Sequence, residues 1–418
     1  MHKLLIFVLL FVLLTVKAQD SYYNLRVDTV TYQYYLNGDW NKLIDTAKQA
    51  IKDSVDFKFL RQRLGYAYFA KGNYYASQQQ YEKALALDDT DIDTRTYLYY
   101  CGLYTCNESN IRYRAGQLTN ELKQSFGIKP FRVLNSVDLE YSYKTNDNAT
   151  RGNPAFYRAG ISSQLGYRLN LYQSLSGYSQ TNVSIYKETD AQINVQTFDS
   201  TTIKQFEYFA LLNWSITPHF SLNIGYHYLN TGIKNRYIYT YNLYNQPTKT
   251  VKATTATSNL PGNMFCSKLS FTLNRFDFAL TGSILNYDSV LTQQYGVHAG
   301  VVLPGKLNLY MKSSLYGMLD SNIRRLIFSQ TASALLFKKL GVEGNITWGN
   351  LNNFSDNNGL YIYNSLDPST FRTGLTTYWY LFPKISLFGN YTYDTKLIEE
   401  NNTNYNQHSF SGGIIWKI

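Results

Sequence analysis

Nucleophiles, bases and metal ligands are few in this chain, and they are scattered. There are five histidines, His2, His219, His227, His298 and His408, and three cysteines, Cys101, Cys106 and Cys266. Triad hydrolysis needs a hydroxyl or thiol beside an imidazole that a carboxylate orients, and a helical zinc protease site needs two histidines four residues apart. Neither spacing stands out, and no nucleophile elbow or phosphate loop is visible. The expectation is therefore no catalytic residue, no metal ligand set and no cofactor. Should a hydrolase be present after all, His227 and His298 are its candidate bases. The odd cysteine count argues against a disulfide framework. Cys101 and Cys106 pair only if a helix ends between them, and the plainer reading is three free, small hydrophobic residues.

The polar residues that do fall into a pattern are Glu140, Arg158, Gln164, Arg168, Glu207, His227, His298, Lys312, Glu343 and Arg372. By parity they occupy the polar positions of segments that alternate with period two. Val133, Val137, Leu139, Tyr141 and Tyr143 alternate with Leu134, Ser136, Asp138, Glu140 and Ser142. Phe220, Leu222, Ile224, Tyr226 and Tyr228 alternate with Ser221, Asn223, Gly225 and His227. Segments of about ten residues, apolar on one face and polar on the other, are what a transmembrane β-barrel requires. Short turns are expected at 169–172, 217–219, 274–276, 303–306, 338–340 and 382–384. Longer polar connections are expected at 145–154, 187–202, 235–262, 349–369 and 395–405. The count is about 14 antiparallel strands over residues 127–418, an even number that returns both barrel termini to one side. The charged set, with Glu140, Arg158, Arg168, Glu207, Lys312, Glu343 and Arg372 foremost, then lines the lumen. One reading is a network of paired charges that fills it. The other is a polar path for a saccharide or ion, with Tyr178, Tyr310, Tyr316, Tyr378 and Tyr380 as stacking faces.

The elements before the barrel are helical. Lys3 followed by the apolar run Leu4–Val16 and a cut after Ala18 reads as an export signal over residues 1–18. In the helical segment, residues 19–126, the stretch 29–85 repeats at an offset of 34: Gly38 and Gly72, Trp40 and Tyr74, Ala50 and Ala84, Ile51 and Leu85. That is the period of tetratricopeptide repeats, pairs of antiparallel helices that must stack to bury a core. A third copy keeps Leu98 and Gly102 but has Cys106 at the glycine position, and its second helix, about 108 to 124, is expected to act as a cap. Repeat geometry places Phe59, Gln62, Tyr66 and Phe69 on a concave face, a candidate groove for a protein partner. The plainer alternative is a spacer or lid.

Composition fits an exported barrel. Tyr is 40 of 418 residues, Pro only 8, and charged residues are 16%, against roughly 25% in average soluble proteins. Mean hydropathy is −0.31, which a barrel tolerates because only alternate residues face lipid. Net charge is +10 without a dense Lys/Arg block, so nucleic acid is not expected as a partner. Ser411, Gly413, Trp416 and Ile418 match the terminal-strand pattern read by the barrel-assembly machinery of Gram-negative bacteria, with Ile418 where an aromatic is commoner.

Signal, helical repeats and Tyr-rich barrel, in that order, resemble the YaiO-type outer-membrane β-barrel family, in a Bacteroidetes-like member. The resemblance implies an outer-membrane barrel among its lipids with the repeats in the periplasm, and it assigns no activity. A looser likeness is to polysaccharide-export porins. The expectation is thus an α+β multidomain chain, an N-terminal TPR-like helical segment followed by the barrel. Its function is expected to be a channel or export porin with a periplasmic partner; the alternative is a non-transporting scaffold for envelope assembly or secretion components.

Overall fold

The computed structural model describes residues 24–189, 193–243, 250–305, 307, 309–320, 323–337, 339–399 and 401–418, without the side chains of 186–196 and 239–250. The export signal of residues 1–18 lies outside the described residues. The chain divides into two compact units, Met1–Lys129 and Pro130–Ile418.

The first unit is helical. Helix α1 covers 24–37, followed by α2 (Trp40–Lys52), α3 (Lys58–Ala70), α4 (Tyr74–Leu87), α5 (Ile92–Thr105), α6 (Glu108–Gln117) and α7 (Asn120–Ser125). Helices α2, α4 and α6 start 34 residues apart, as do α3 and α5. The same interval governs the turns: Gly38, Gly72 and Cys106 all take positive φ, at 70°, 73° and 53°. Glycine adopts that region freely, whereas Cys106 pays a Cβ penalty. After two of these turns an asparagine caps the next helix. Asn73 accepts from the Ala76 N–H and Asn107 from the Asn110 N–H, satisfying donors the helix leaves orphaned.

Helix α2 turns Leu43, Ile44, Ala47 and Ala50 inward, against Leu60, Leu64 and Ala67 of α3. Each leucine buried this fully contributes about 1.5–3 kcal/mol. Gly65 lets α4 approach, since a Cβ there would stand 2.9 Å from the Tyr81 ring. The Ser77 hydroxyl seals the contact by donating to the Gly65 carbonyl at 2.8 Å. One correction concerns the expected cap: 108–124 is two helices, not one, because Thr119 caps α7 by accepting from the Leu122 N–H. Among the described residues no helix is long and apolar enough to cross a membrane.

The second unit is a closed antiparallel barrel. Its strands are β1 (Arg132–Asn146), β2 (Ala155–Gln164), β3 (Leu169–Thr189), β4 (Ile193–Ser215), β5 (Phe220–Leu243), β6 (Thr250–Leu273), β7 (Phe276–Tyr287), β8 (Val290–Val302), β9 (Tyr310–Asp320), β10 (Ile323–Leu336), β11 (Leu340–Trp348), β14 (Ser369–Phe382), β15 (Ile385–Ile398) and β16 (Thr403–Lys417). A small separate sheet, β12 (Phe354–Asp356) with β13 (Tyr361–Tyr363), lies between β11 and β14 in sequence. The barrel therefore has 14 strands, in the order β1-β16-β15-β14-β11-β10-β9-β8-β7-β6-β5-β4-β3-β2. It closes where β1 pairs with β16, from Ser136↔Lys417 to Asn146↔Gln407. Closure removes the open edges an unpaired sheet would expose. We call the end holding Arg132 and Lys417 the lower rim and the other the upper rim.

The period of two sorts the side chains. Leu139, Tyr157, Leu175, Ile224, Phe265, Leu280, Val297, Leu315, Leu375 and Trp416 are exposed on the outer wall. Ser142, Ser176, Glu207, His227, Gln294, Ser314, Thr392 and Asp394 are buried inside. Three expectations need correction. Segments 187–202 and 235–262 are largely strand, because β3 to β6 run 21 to 24 residues. Pairing satisfies the backbone whatever the side chains are, so strands continue where alternation has faded. The turn expected at 169–172 falls before Leu169. The connection at 349–369 is not simply an outer loop, as described next.

Candidate functional site: the barrel lumen

Eight-stranded barrels are filled by their own side chains, and 16-stranded ones leave an aqueous channel. At 14 strands, side chains alone leave space, and part of it is taken by the connection between β11 and β14. The β12–β13 hairpin packs inside the wall. Its tip is a short 3-10 turn over Asn357–Gly359, with Asn358 at φ 57°. At that tip the His227 imidazole N–H donates to the Gly359 carbonyl (Nδ1 to O 2.7 Å), and the Cys266 thiol donates to the Asn358 carbonyl at 3.1 Å. Gly359 is required there: its φ is +90°, and a Cβ would lie 2.6 Å from Cys266 Sγ. One strand of the hairpin is held by Gln294, which donates to the Ser355 carbonyl and accepts its N–H, at 2.8 and 2.9 Å.

Apolar contacts flank these bonds. Phe354 packs with Tyr316, Met318, Ile327 and Leu351, and Ile362 packs on Leu229, Met264 and Leu285. Across the lumen the Tyr361 hydroxyl donates to Glu140 at 2.9 Å, and Glu140 pairs with Arg158 at 2.8 Å. Arg158 lies 5.3 Å from the Tyr361 ring centre and Arg372 lies 4.8 Å from that of Tyr363. The return to β14 is fixed by Asp367. Its carboxylate accepts from Arg151 Nε at 2.6 Å and from the Tyr405 hydroxyl at 2.9 Å, while its carbonyl accepts from Lys396 at 3.1 Å. The buried Arg372 is paired, as its desolvation demands, with Asp394 at 3.1 Å, and the Glu207 carboxylate lies 3.5 Å from the His227 ring.

Beside the hairpin a cavity of about 800 Å³ remains. It reaches Asp288, in the turn at the upper rim, and Lys312, the third residue of β9 from the lower rim. Its surface is polar with interspersed rings, Tyr178, Tyr316, Tyr361, Tyr363 and Tyr378.

Of the sequence-derived lumen candidates, Glu140, Glu207, Lys312, Glu343 and Arg372 line this cavity, and Arg158 is held beside it through Glu140. Arg168 does not: β2 ends at Gln164, and Arg168 lies exposed in the turn before β3, so strand parity no longer governs it. Tyr310 is committed to Asp277, its hydroxyl donating at 3.1 Å, and Tyr380 is 44% exposed near the lower end of β14. The two candidate bases are structural in geometry. His227 holds Gly359, and the Ser176 hydroxyl near it donates to Glu207 at 2.7 Å rather than to the imidazole. His298 contacts Ser314 at 2.8 Å and Thr281 at 3.4 Å, with hydroxyls on both ring nitrogens. Ser411 lines the cavity, Trp416 faces outward, and Gly413 lies under the Phe388 ring.

In the helical unit the four groove residues are only partly free. Phe59 is 54% exposed. The Gln62 amide donates to Asp91 at 2.7 Å and Thr94 at 2.9 Å. Tyr66 stands edge-on to Tyr35, Trp40 and Tyr97, and Phe69 to Tyr74, Tyr97 and Tyr104. Tyr66 and Phe69 therefore form a seam joining successive helix pairs, which repeat spacing alone does not reveal. Sequence reasoning also missed the hairpin itself. Its available signal was the turn-forming run Asp356-Asn-Asn-Gly359 between two short apolar-polar alternations, Phe354-Ser-Asp and Tyr361-Ile-Tyr.

Fold and site together define a closed antiparallel β-barrel with an apolar exterior and a polar lumen that a hairpin partly fills. No family model and no curated protein sequence matches the chain. Among solved structures it is similar to the P. putida toluene transporter TodX, with 7% identity, TM-score 0.46, and coverage of 69% of this chain and 91% of that one. A Pseudomonas aeruginosa FadL homologue shows 7% identity and TM-score 0.41, covering 74% and 94%. A bacterial polysaccharide outer membrane secretin shows 8% identity and TM-score 0.38, covering 68% and 99%.

Proposed function

We propose that this chain is an outer-membrane channel whose lumen is narrowed by an inward-folded hairpin, with the helical unit serving as a periplasmic docking module. The observation that carries the reading is the polar cavity running from the upper-rim turn at Asp288 to Lys312 near the lower rim, inside a wall whose outer face is apolar. A membrane-crossing strand needs about 9–11 residues, so every barrel strand is long enough, and β3 to β6 project well beyond. Paired charges and tyrosine faces suit a polar, ring-shaped solute such as a saccharide, because a pyranose has both hydroxyls and an apolar face. The 34-residue interval of helices and turns supports a tetratricopeptide-like reading of the first unit and the likeness to YaiO-type barrels. The terminal strand, with Ser411, Gly413, Trp416 and Ile418, is offered to the barrel-assembly machinery. In planar bilayers the mature protein gives stepped conductance, reduced by a permeant oligosaccharide. A bilayer that stays sealed under all conditions ends this reading.

A second reading has one observation in its favour: the hairpin is tied to both sides of the lumen, at His227 and Gln294 and at Glu140 and Asp367. A plugged barrel would then anchor a scaffold, with the helices capturing envelope or secretion components. The sealed bilayer is the result this second reading expects.

A further inference from the structure

Below the hairpin tip is a second, smaller cavity of about 80 Å³. It has room for several waters or for one anionic headgroup. Two ammonium groups face it, Lys268 from β6 and Lys312 from β9, together with His298 and the hydroxyls of Thr281 and Ser283. Among the described residues neither lysine makes an ion pair. The lumen arginines are paired, Arg151 with Asp367, Arg158 with Glu140, Arg325 with Asp320 and Arg372 with Asp394, and Lys396 donates to the Ser365 hydroxyl and the Asp367 carbonyl.

Two carboxylates near the lysines accept hydrogen bonds from other groups. Asp277 accepts from the Tyr310 hydroxyl, and Asp356, which also borders the cavity, accepts from the Asn357 N–H at 2.7 Å and from Tyr363. Glu343 borders only the larger cavity, which Lys312 also faces. Two like charges converging on a confined polar space repel each other, and an anion placed between them removes that cost. The set is donor-rich: two ammoniums and the hydroxyls of Thr281 and Ser283.

We infer that Lys268 and Lys312, with the hydroxyls of Thr281 and Ser283, form a subsite for a small oxyanion group, the carboxylate, phosphate or sulfate of a solute. This deepens the channel reading and rests on it, because solutes must reach the lumen. The roof of the cavity is the segment Ser355–Gly359, so an occupant larger than one headgroup pushes against the hairpin tip. Lys312 faces both cavities and so is placed to pass an anionic group from one to the other.

The test uses the full-length mature protein in detergent micelles. Thermal unfolding is followed with sodium phosphate, sodium sulfate or sodium acetate against sodium chloride at equal ionic strength. A bound anion stabilises the folded state by mass action, so at least one oxyanion raises the midpoint by about 2–4 °C. The three arms separate phosphate, sulfate and carboxylate selectivity. The double variant Lys268→Gln, Lys312→Gln loses the rise, Lys268→Arg with Lys312→Arg keeps it, and Lys144→Gln, elsewhere in the lumen, keeps it. No oxyanion-specific rise in the wild type overturns the proposal, as does a rise that survives the double Gln variant or vanishes equally in Lys144→Gln. Should the double Gln variant fail to fold, the wild-type and Arg arms decide alone. Bilayer conductance of the same preparation separates the two failures: a conducting protein without the rise loses the subsite, and a sealed one loses the channel.

Discussion

Each of the three cysteine thiols reports a different part of the molecule. Cys106 is exposed at the left-handed turn after α5. Cys101 is buried against Ser77 at 3.4 Å, and burial pushes its thiol up to about 12. Cys266 is buried and donates to the hairpin carbonyl of Asn358. The thiolate is the reactive form, so at pH 8 a maleimide reagent labels one site per folded chain, Cys106, and three after denaturation. Rapid native labelling of Cys101 would show that the α3–α5 core is not packed as described. A second residue-scale expectation concerns acid. The Lys58 ammonium, at 2.8 Å, and the hydroxyl and N–H of Thr90 hold the Asp88 carboxyl at about 2, below its ordinary value near 3.9. A depressed carboxyl adds stability above its unfolded value, and that stability is lost as pH falls through the folded value. The helical signal at 222 nm, to which the barrel adds no helix, should therefore become easier to melt between about pH 4 and pH 2. Asp88→Asn should flatten that pH dependence.

At the scale of elements the hairpin is the feature that decides behaviour. Asp367 gathers Arg151, Tyr405 and, through its carbonyl, Lys396. Asp367→Ala removes the carboxylate that accepts from the Arg151 guanidinium, 12% exposed, and breaking one half of a buried pair costs about 3–5 kcal/mol. The loss falls where the hairpin rejoins the wall, so the expected outcome is larger mean conductance and labelling of Cys266 in the folded protein. An unchanged conductance with Cys266 still protected would mean the tip contacts at His227 and Gln294 suffice. The same element marks how far the sequence could be read. Alternation such as Val137, Leu139, Tyr141 against Ser136, Asp138, Glu140 announces a wall, because lipid and lumen impose opposite demands on neighbours. The 34-residue interval of Gly38 and Gly72 announces helix pairs, because each turn needs the same backbone. Inside the lumen no such periodic demand acts. Residues 349–369 are polar whether they lie in solvent or in a polar cavity, and Lys268 belongs to a strand whose upper half looks like loop. Arg168 fails for the complementary reason: parity was carried past the end of β2.

For the whole molecule the two units make separable predictions. Hydrogen bonding in the barrel closes on itself, with β1 on β16, so the described wall strands offer no edge from which unfolding by detergent can start. The mature chain should consequently migrate faster on a detergent gel when unheated than when boiled, and a freely water-soluble product would contradict the apolar wall. Removing residues 20–126 deletes α1 to α7 and leaves every barrel strand, the first of which begins at Arg132. That deletion should preserve the mobility shift and abolish capture of a periplasmic protein partner. Conductance of the truncated barrel then separates the two readings of the molecule. If it equals that of the full chain, the helices act by recruitment. If the truncated barrel conducts more, they restrict access to the lumen. If both remain sealed while partner capture is lost, the barrel is an anchor and the docking surface is the working part.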